Sequence, residues 1–223
     1  MSKYQIVPAR PSNISSLTTI VARSFHSTNP YIRAALPDTP SVREWWRNIF
    51  QHFLSDSSSW HVLTASAPSS ESNFPRNAEE DEEEAIGVLV LRHMQPHERG
   101  SGAWSIFPLT SDHDAEKFNA MVSTMSLQRE RIMRVDEEEA ARKHYTIELF
   151  GVDNSWKGKG VGAALLRRAC EVVDERGLET FVQANASARA FYEREGFQVR
   201  GSEVMPGEDK YEEFMLLRPA KTS

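Results

Sequence analysis

Residues 157–164 read Lys157-Gly158-Lys159-Gly160-Val161-Gly162-Ala163-Ala164, and this stretch carries more structural information than any other in the sequence. Three alternate glycines let a backbone turn tightly and approach a ligand without a Cβ in the way. The apolar pattern predicts a strand before the stretch, over 145–152, and a helix after it, over 160–176. The first N–H groups of that helix favour an anion, and two lysines add positive charge. The stretch therefore predicts a phosphate cradle; a loop used only for tight strand–helix packing is the alternative.

Other phosphate motifs fit the sequence less well. The P-loop pattern GxxxxGK[ST] is absent. The dinucleotide fingerprint is formally met by Gly158, Gly160 and Ala163, but it expects an acidic residue about 20 positions later, near the end of the next strand. That strand ends in Gln183-Ala184-Asn185, so a nicotinamide cofactor is disfavoured.

The remaining elements predict one α/β domain over 1–223, with no repeat. Two segments interrupt the pattern. Six adjacent acids, 79–84, predict a flexible, solvated loop over 67–84. Residues 93–143 form an insertion that ends in a helix, whose apolar stripe serves either as core filler or as a substrate-facing wall. The stripe consists of Phe118, Met121, Val122 and Met125. The other predicted strands are 4–8, 60–65, 85–92, 180–184, 197–204 and 211–217, and the other helices begin near Ser12 or Asn13, at Thr39–Pro40 and at Ser187.

Three segments resemble the GCN5-related N-acetyltransferase (GNAT) superfamily. Residues 157–163 resemble its (R/Q)xxGx(G/A) loop, with Lys157 in place of Arg or Gln, and 147–152 resemble the preceding strand. Residues 185–197, NASARAFYEREGF, resemble its N…A…FYxxxGF segment. The resemblance covers 144 to about 200 and implies an α/β fold. The implied sheet is mixed and mostly antiparallel, with splayed parallel strands at its centre and flanking helices.

The resemblance also implies acetyl-CoA as cofactor, held between strands 145–152 and 180–184. Backbone amides of the glycine stretch would take the pyrophosphate, and an exposed strand edge would pair with the pantetheine arm. The implied cofactor-binding residues are Phe150, Gly151, Val152, Lys157, Gly158, Lys159, Gly160, Val161, Gly162, Ala163, Asn185 and Phe191.

Two side chains are the catalytic candidates. Tyr192 stands where the family places its general acid, and a phenol suits protonation of a leaving thiolate; simple packing is its alternative. Glu148 lies mid-strand, where an unpaired carboxylate has a raised pKa, and is the candidate base, directly or through a water. Strand alternation puts it on the face of Phe150 and Val152. A structural ion pair is the alternative for Glu148, and His144 is a second candidate base.

Several function classes are disfavoured. The sequence has no GxSxG motif, its histidines lack metal-ligand spacing, and the single cysteine, Cys170, falls inside a predicted core helix. A net charge of −6 gives no reason to expect nucleic acid, and no apolar stretch is long enough for a membrane span or a signal peptide. These features predict a cytoplasmic protein, without indicating its oligomeric state.

The sequence thus predicts an acetyl-CoA-dependent N-acetyltransferase that acetylates a primary amine directly, most simply that of a small molecule. The acceptor would enter beside the first two helices and the insertion, where Trp45, Trp46, Trp104 and Phe107 make the surface aromatic. Acetylation of a protein N-terminus or lysine is the alternative reaction. A non-catalytic acyl-CoA-binding module is the alternative from another functional class.

Overall fold

The computed structural model of the chain describes residues 4–26, 30–67, 84–96, 98, 102–134, 142–205, 207 and 210–221. The predicted acidic loop 67–84 lies outside the described residues except at its two ends. Parts of the insertion 93–143 also lie outside them.

A seven-stranded mixed sheet forms the centre of the fold, as predicted. Its order is β1-β2-β3-β4-β5-β7-β6, and every neighbouring pair is antiparallel except β4 and β5, which are parallel. The strands are β1 (Gln5–Pro8), β2 (Trp60–Ala67), β3 (Glu84–Met94), β4 (His144–Val152), β5 (Glu179–Asn185), β6 (Gln198–Val204) and β7 (Glu212–Arg218).

Six α-helices in the described residues flank this sheet: α1 (Ile14–His26), α2 (Pro30–Ala35), α3 (Pro40–Ser55), α4 (Ala115–Met133), α5 (Val161–Asp174) and α6 (Ala186–Glu193). As predicted, Thr39 caps α3, accepting a hydrogen bond from the backbone N–H of Val42. The sequence does not predict α2, because six residues are too few to show a helical period. None of the described helices has the length and apolar character that a membrane crossing requires.

Each face of the sheet carries its own apolar core. Buried side chains of α1, α2, α3 and α4 pack on one face, against residues such as Val88, Val90 and Leu149. Buried side chains of α5 pack on the other face, against Leu89, Leu91 and Ile147. Because both faces are covered, β3 is apolar almost throughout its central part, as buried strands are.

The parallel pair separates halfway along its length. β4 and β5 pair from His144–Glu179 to Ile147–Val182 and no further. Beyond that point β4 stays with β3, and β5 stays with β7. A gap therefore opens between residues 148–152 and 183–185, which is the splay that the family resemblance implies.

A bulge in β4 corrects the predicted orientation of Glu148. Val90 pairs with Leu149 and Leu91 pairs with Ile147, which leaves Glu148 as the extra residue. Glu148 and Leu149 consequently both contact residues of the α1–α4 face. Phe150 and Val152 pack on the α5 face, so the expectation that Glu148 shares their face is wrong.

Candidate active site

A cavity of about 150 Å³ lies at the gap between β4 and β5. Most of its wall is apolar, as is typical of small-molecule sites, and a few polar groups enter it. Phe25, Ile32, Leu36, Trp104, Met121 and Met125 form much of the apolar wall, so two members of the predicted α4 stripe do face the cavity. The polar side chains are those of Ser24, Glu148, Gln183, Asn185, Tyr192, Tyr211 and Glu213.

Glu148 is buried within a group of polar partners. The indole N–H of Trp104 donates a 2.9 Å hydrogen bond to its Oε2, and Nη1 of Arg92 lies 3.8 Å from its Oε1. Burial raises the pKa of this carboxyl, although the charges of Arg92 and Arg129 and the Trp104 bond oppose the rise. Arg92 also pairs with Glu98. Glu148 thus takes part in an ion-pair network, as the structural interpretation expects. It also lines the cavity, as a catalytic base must.

Tyr192 lies on α6 and is 4% exposed. Its ring contacts those of Phe150, Phe191 and Phe197, with centroids 5.3–6.2 Å apart. Burial, with a further contribution from the charge of Glu213, raises the pKa of the phenol above its ordinary value of 10.0. The hydroxyl therefore stays protonated at neutral pH, as a general acid must before it donates.

Glu213 also lines the cavity, although it was not among the residues predicted from the sequence. Its Oε1 accepts a hydrogen bond from the Tyr211 hydroxyl, and its Oε2 has no hydrogen-bond partner among the described residues. Burial raises the pKa of this carboxyl to about 7, although the Tyr211 bond opposes the rise. A signal was present: Glu212 and Glu213 are adjacent in a predicted strand, so one of them had to face inward.

The glycine stretch forms an open turn in front of α5. Gly158 and Gly160 have φ values of 78° and 84°, in the left-handed region that favours glycine. Gly160 precedes α5 with no side-chain cap among the described residues, so the N–H groups of its first turn are available to an anion. A Cβ at Gly158 would meet no described atom within 4 Å, which leaves room for a ligand. Lys159 lies over the Trp156 ring, 4.8 Å from its centroid.

The turn and the gap adjoin each other. A Cβ on Gly162 would come within 3.5 Å of Phe150 and 3.7 Å of Phe191, so these two rings border the path from the turn to the cavity. Past Ile147, the β5-facing edge of β4 has no strand partner in the described part of the chain. Its backbone groups can pair with an extended, amide-bearing arm. The turn and edge together fit a pyrophosphate joined to such an arm, as in coenzyme A.

Asn185 caps α6 at the edge of the cavity. Its Oδ1 accepts hydrogen bonds from the backbone N–H of Ala188 at 3.1 Å and from the hydroxyl of Ser187 at 2.6 Å. Glu148, Phe150, Asn185 and Tyr192, all selected from the sequence, line the same cavity.

Two other sequence candidates lie elsewhere. The Nδ1–H of His144 donates to the Arg142 carbonyl at 2.6 Å, and burial lowers the pKa of this histidine to about 4. Its side chain does not line the cavity. Cys170 is a buried core residue of α5, as predicted, and burial raises the pKa of its thiol to about 11.

The expected aromatic acceptor surface needs correction. Of its four residues, only Trp104 lines the cavity. Trp45 and Trp46 are buried behind it, because α3 packs both rings into the core between α1 and α4. The indole N–H of Trp45 donates to the carbonyl of Phe107 at 3.4 Å.

A larger, open cleft of about 680 Å³ lies between the N-terminal part of α1 and the turn after β4. It shares no lining residue with the cavity. Across the described residues, no group of three or more His, Cys, Asp or Glu side chains is arranged to hold a metal ion.

Comparison with known proteins gives one family and one fold. The model of the acetyltransferase (GNAT) family matches residues 39–197. No curated protein matches the sequence. Among solved structures, a mosquito arylalkylamine N-acetyltransferase-like protein, 5b, is similar with a TM-score of 0.63 and 13% identity, over 96% of this chain and 99% of that one.

Two further structures share the fold. A protein described as histone acetyltransferase HPA2 and related acetyltransferase, from Corynebacterium glutamicum, has a TM-score of 0.58 and 16% identity, over 100% of this chain and 99% of that one. The Escherichia coli ribosomal-protein-S18-alanine N-acetyltransferase has a TM-score of 0.54 and 12% identity, over 99% of this chain and 96% of that one. Identities this low establish a shared fold and leave the substrate open.

Glu213 should make the stability of the protein depend on pH. Its pKa of about 7 in the folded chain exceeds the ordinary 4.5, so the folded chain binds this proton more tightly than the unfolded chain. Stability should fall as pH rises across that window, by at most about 1.4 kcal/mol per pH unit from this group. Since glutamine does not ionise, the stability of Glu213→Gln relative to wild type should increase across the window and stay constant above it.

Urea unfolding at a series of pH values measures this difference. Glu212→Gln, at the half-buried neighbouring position, is the control and should run parallel to wild type. If the free energies of unfolding of Glu213→Gln and wild type differed by the same amount at every pH, a raised pKa of Glu213 would be contradicted.

Proposed function

The chain belongs to the acetyltransferase (GNAT) family, and we propose that it is an acetyl-CoA-dependent N-acetyltransferase acting on the primary amine of a small molecule. One observation carries the choice of acceptor: two buried carboxyls and two tyrosines converge on a cavity of only about 150 Å³ with largely apolar walls. Such a cavity suits a compact cationic amine, whereas an extended peptide needs a groove or a sheet edge.

The glycine turn and the free edge of β4 are the groups that would hold acetyl-CoA. The first-turn amides of α5, with Lys157 and Lys159 nearby, would bind the pyrophosphate, and the backbone of Phe150, Gly151 and Val152 would pair with the pantetheine amides. When bound, acetyl-CoA supplies an electrophilic thioester carbonyl and a thiolate leaving group.

Two side chains then move protons. Tyr192 gives its hydroxyl proton to the departing sulfur, and its raised pKa keeps that proton in place until charge develops there. Glu148 takes a proton from the amine nitrogen as the amide forms, directly or through a water. We infer direct transfer, and the buried position of the single cysteine in α5 argues against an acyl-cysteine intermediate.

Release of free thiol from acetyl-CoA, measured against small primary amines, N-terminal peptides and lysine peptides, tests this function. Small amines should give the highest kcat/KM. Activity confined to peptides would point to a protein acetyltransferase. Tight acetyl-CoA binding without turnover or hydrolysis would point to a binding module.

Coenzyme A should raise the melting temperature of the protein, and NAD should do so much less. Gly160→Glu should abolish the shift, because a side chain and a negative charge would enter the proposed pyrophosphate site. Gly177→Glu is a matched control. Gly177 has a positive φ of 61°, as Gly160 has one of 84°, but Gly177 lies past the C-terminal end of α5, away from the proposed pyrophosphate site. Equal loss of the shift in both variants would assign the effect to backbone strain and contradict the cradle.

Tyr192→Phe should lower kcat on the order of ten- to a thousandfold while coenzyme A binding is retained, because only the proton donor is lost. Tyr192→Ala also removes the ring that packs against Phe191 and Phe197, and should in addition lower stability. Wild-type turnover by Tyr192→Phe would make Tyr192 a packing residue.

Glu148→Gln should lower kcat about a hundredfold or more and leave coenzyme A affinity nearly unchanged. Glu179→Gln is the control, because Glu179 also pairs with an arginine, Arg142, but does not line the cavity. Steady-state kinetics and a thermal-shift titration give the two readouts. Similar kcat values for the two variants would make Glu148 structural.

A further inference from the structure

The two carboxyls of the cavity differ in their electrostatic surroundings. Glu148 lies close to Arg92, feels the charge of Arg129 and accepts the Trp104 N–H. Glu213 accepts only the neutral Tyr211 hydroxyl and forms no ion pair with a described residue. Two arginines thus offset part of the negative charge of Glu148, whereas no cation among the described residues pairs with Glu213.

The two carboxyls also lie on opposite sides of the gap. Glu148 belongs to β4, and Glu213 of β7 pairs with Asn185 of β5. The titratable groups near Glu213 are Glu203 of β6, its direct cross-strand partner, Tyr211, Tyr192 of α6 and Tyr31 of α2, which stacks on Tyr211 at 5.6 Å. Lys117 of α4 lies over the Tyr31 ring, 5.7 Å from its centroid. Three phenols and the carboxylate of Glu203 therefore lie near Glu213, and Glu213 is 6% exposed.

We propose, on the basis of the proposed function, that Glu213 binds the ammonium group of the acceptor through its free Oε2 and takes the first proton from it. An ammonium that enters an apolar cavity loses its hydration, and an uncompensated carboxylate offsets that loss. The aromatic rings of Phe25 and Trp104 in the wall add cation–π attraction. The acceptor class that this site recognises is a primary amine with an apolar or aromatic body.

Tyr211 positions the carboxylate for this role. Its hydroxyl donates to Oε1, so Oε2 is the carboxylate oxygen that has no hydrogen-bond partner among the described residues. The stacked Tyr31 is itself fixed, because its hydroxyl donates to the Lys117 carbonyl at 2.8 Å. A pKa of about 7 then lets Glu213 accept and release a proton at neutral pH.

The proton count of the reaction needs two acceptors. In the first step an N–H bond of the ammonium breaks and an O–H bond forms on Glu213, leaving a neutral amine and a neutral acid. The nitrogen loses its second proton to Glu148 as the C–N bond forms and the C–S bond breaks. Sulfur receives the Tyr192 proton. One carboxylic acid then reprotonates Tyr192, and the other releases its proton to solvent.

Binding without acetyl-CoA tests the site independently of turnover. The probes are phenethylamine and the uncharged phenethyl alcohol, titrated calorimetrically into wild type, Glu213→Gln and the control Glu212→Gln. Phenethylamine should bind Glu213→Gln at least about tenfold more weakly than the other two chains. Phenethyl alcohol should bind all three equally. Equal losses for both probes, or no binding of phenethylamine to wild type, would overturn the proposal.

The pH dependence of kcat/KM gives a second readout. Glu213→Gln should raise KM and remove the part of the acid-side fall in kcat/KM that titrates near pH 7, whereas Glu148→Gln should chiefly lower kcat. Tyr211→Phe should move that fall to higher pH, because the lost hydrogen bond favours the ionised carboxylate. Unchanged KM and pH profile in Glu213→Gln would overturn the proposal and leave the proposed function standing. If ammonium binding depended on Glu213 but no amine were acetylated, the role of Glu213 would stand and the proposed function would be overturned.

Discussion

The structure depends on a backbone constraint: β4 and β5 stop pairing at Ile147 and Val182. Each strand keeps its outer neighbour, β3 or β7, so the facing edges diverge and leave N–H and C=O groups without a strand partner. Unpaired backbone groups in a protein interior cost free energy unless another partner satisfies them. A ligand with amides in an extended arm is such a partner. The open glycine turn, the cavity and the Tyr192 hydroxyl are all useful because they adjoin this one gap.

The bulge at Glu148 is the second backbone feature that shapes the site at the gap between β4 and β5. One extra residue in β4 places Glu148 and Leu149 on the same face, so the strand delivers a carboxylate to the cavity while Leu149 stays in the core. Burying a carboxylate without compensation is costly. Arg92 and Arg129 reduce the cost here, and Trp104 fixes one carboxylate oxygen. The local irregularity and the buried ion network are therefore parts of one arrangement.

The sequence predicted what continuous segments encode. The glycine turn and the helix that carries Tyr192 each lie within one short run, where local geometry follows from residue type. The predictions from sequence were wrong where contacts between distant segments decide the position of a side chain. The face of Glu148 depends on the register between β3 and β4, which a strand's own alternation does not contain. Likewise, the packing of α3 against α1 and α4 decides that Trp104 lines the cavity while Trp45 and Trp46 do not. Glu213 was missed because no local motif surrounds it.

The direction of each pKa shift separates structural carboxylates from those of the cavity. Asp174 accepts two hydrogen bonds from Arg218, at 2.7 and 2.9 Å, and its pKa is lowered chiefly by them. Asp38 is held in the same way by Arg43, with the same direction of shift. These pairs stabilise the ionised form and thereby the fold. Glu148 and Glu213 show the opposite shift, because burial outweighs their partners. Ionisation of either cavity carboxyl therefore costs stability, and buried carboxyls with raised pKa values that converge on a cavity are the arrangement typical of proton transfer.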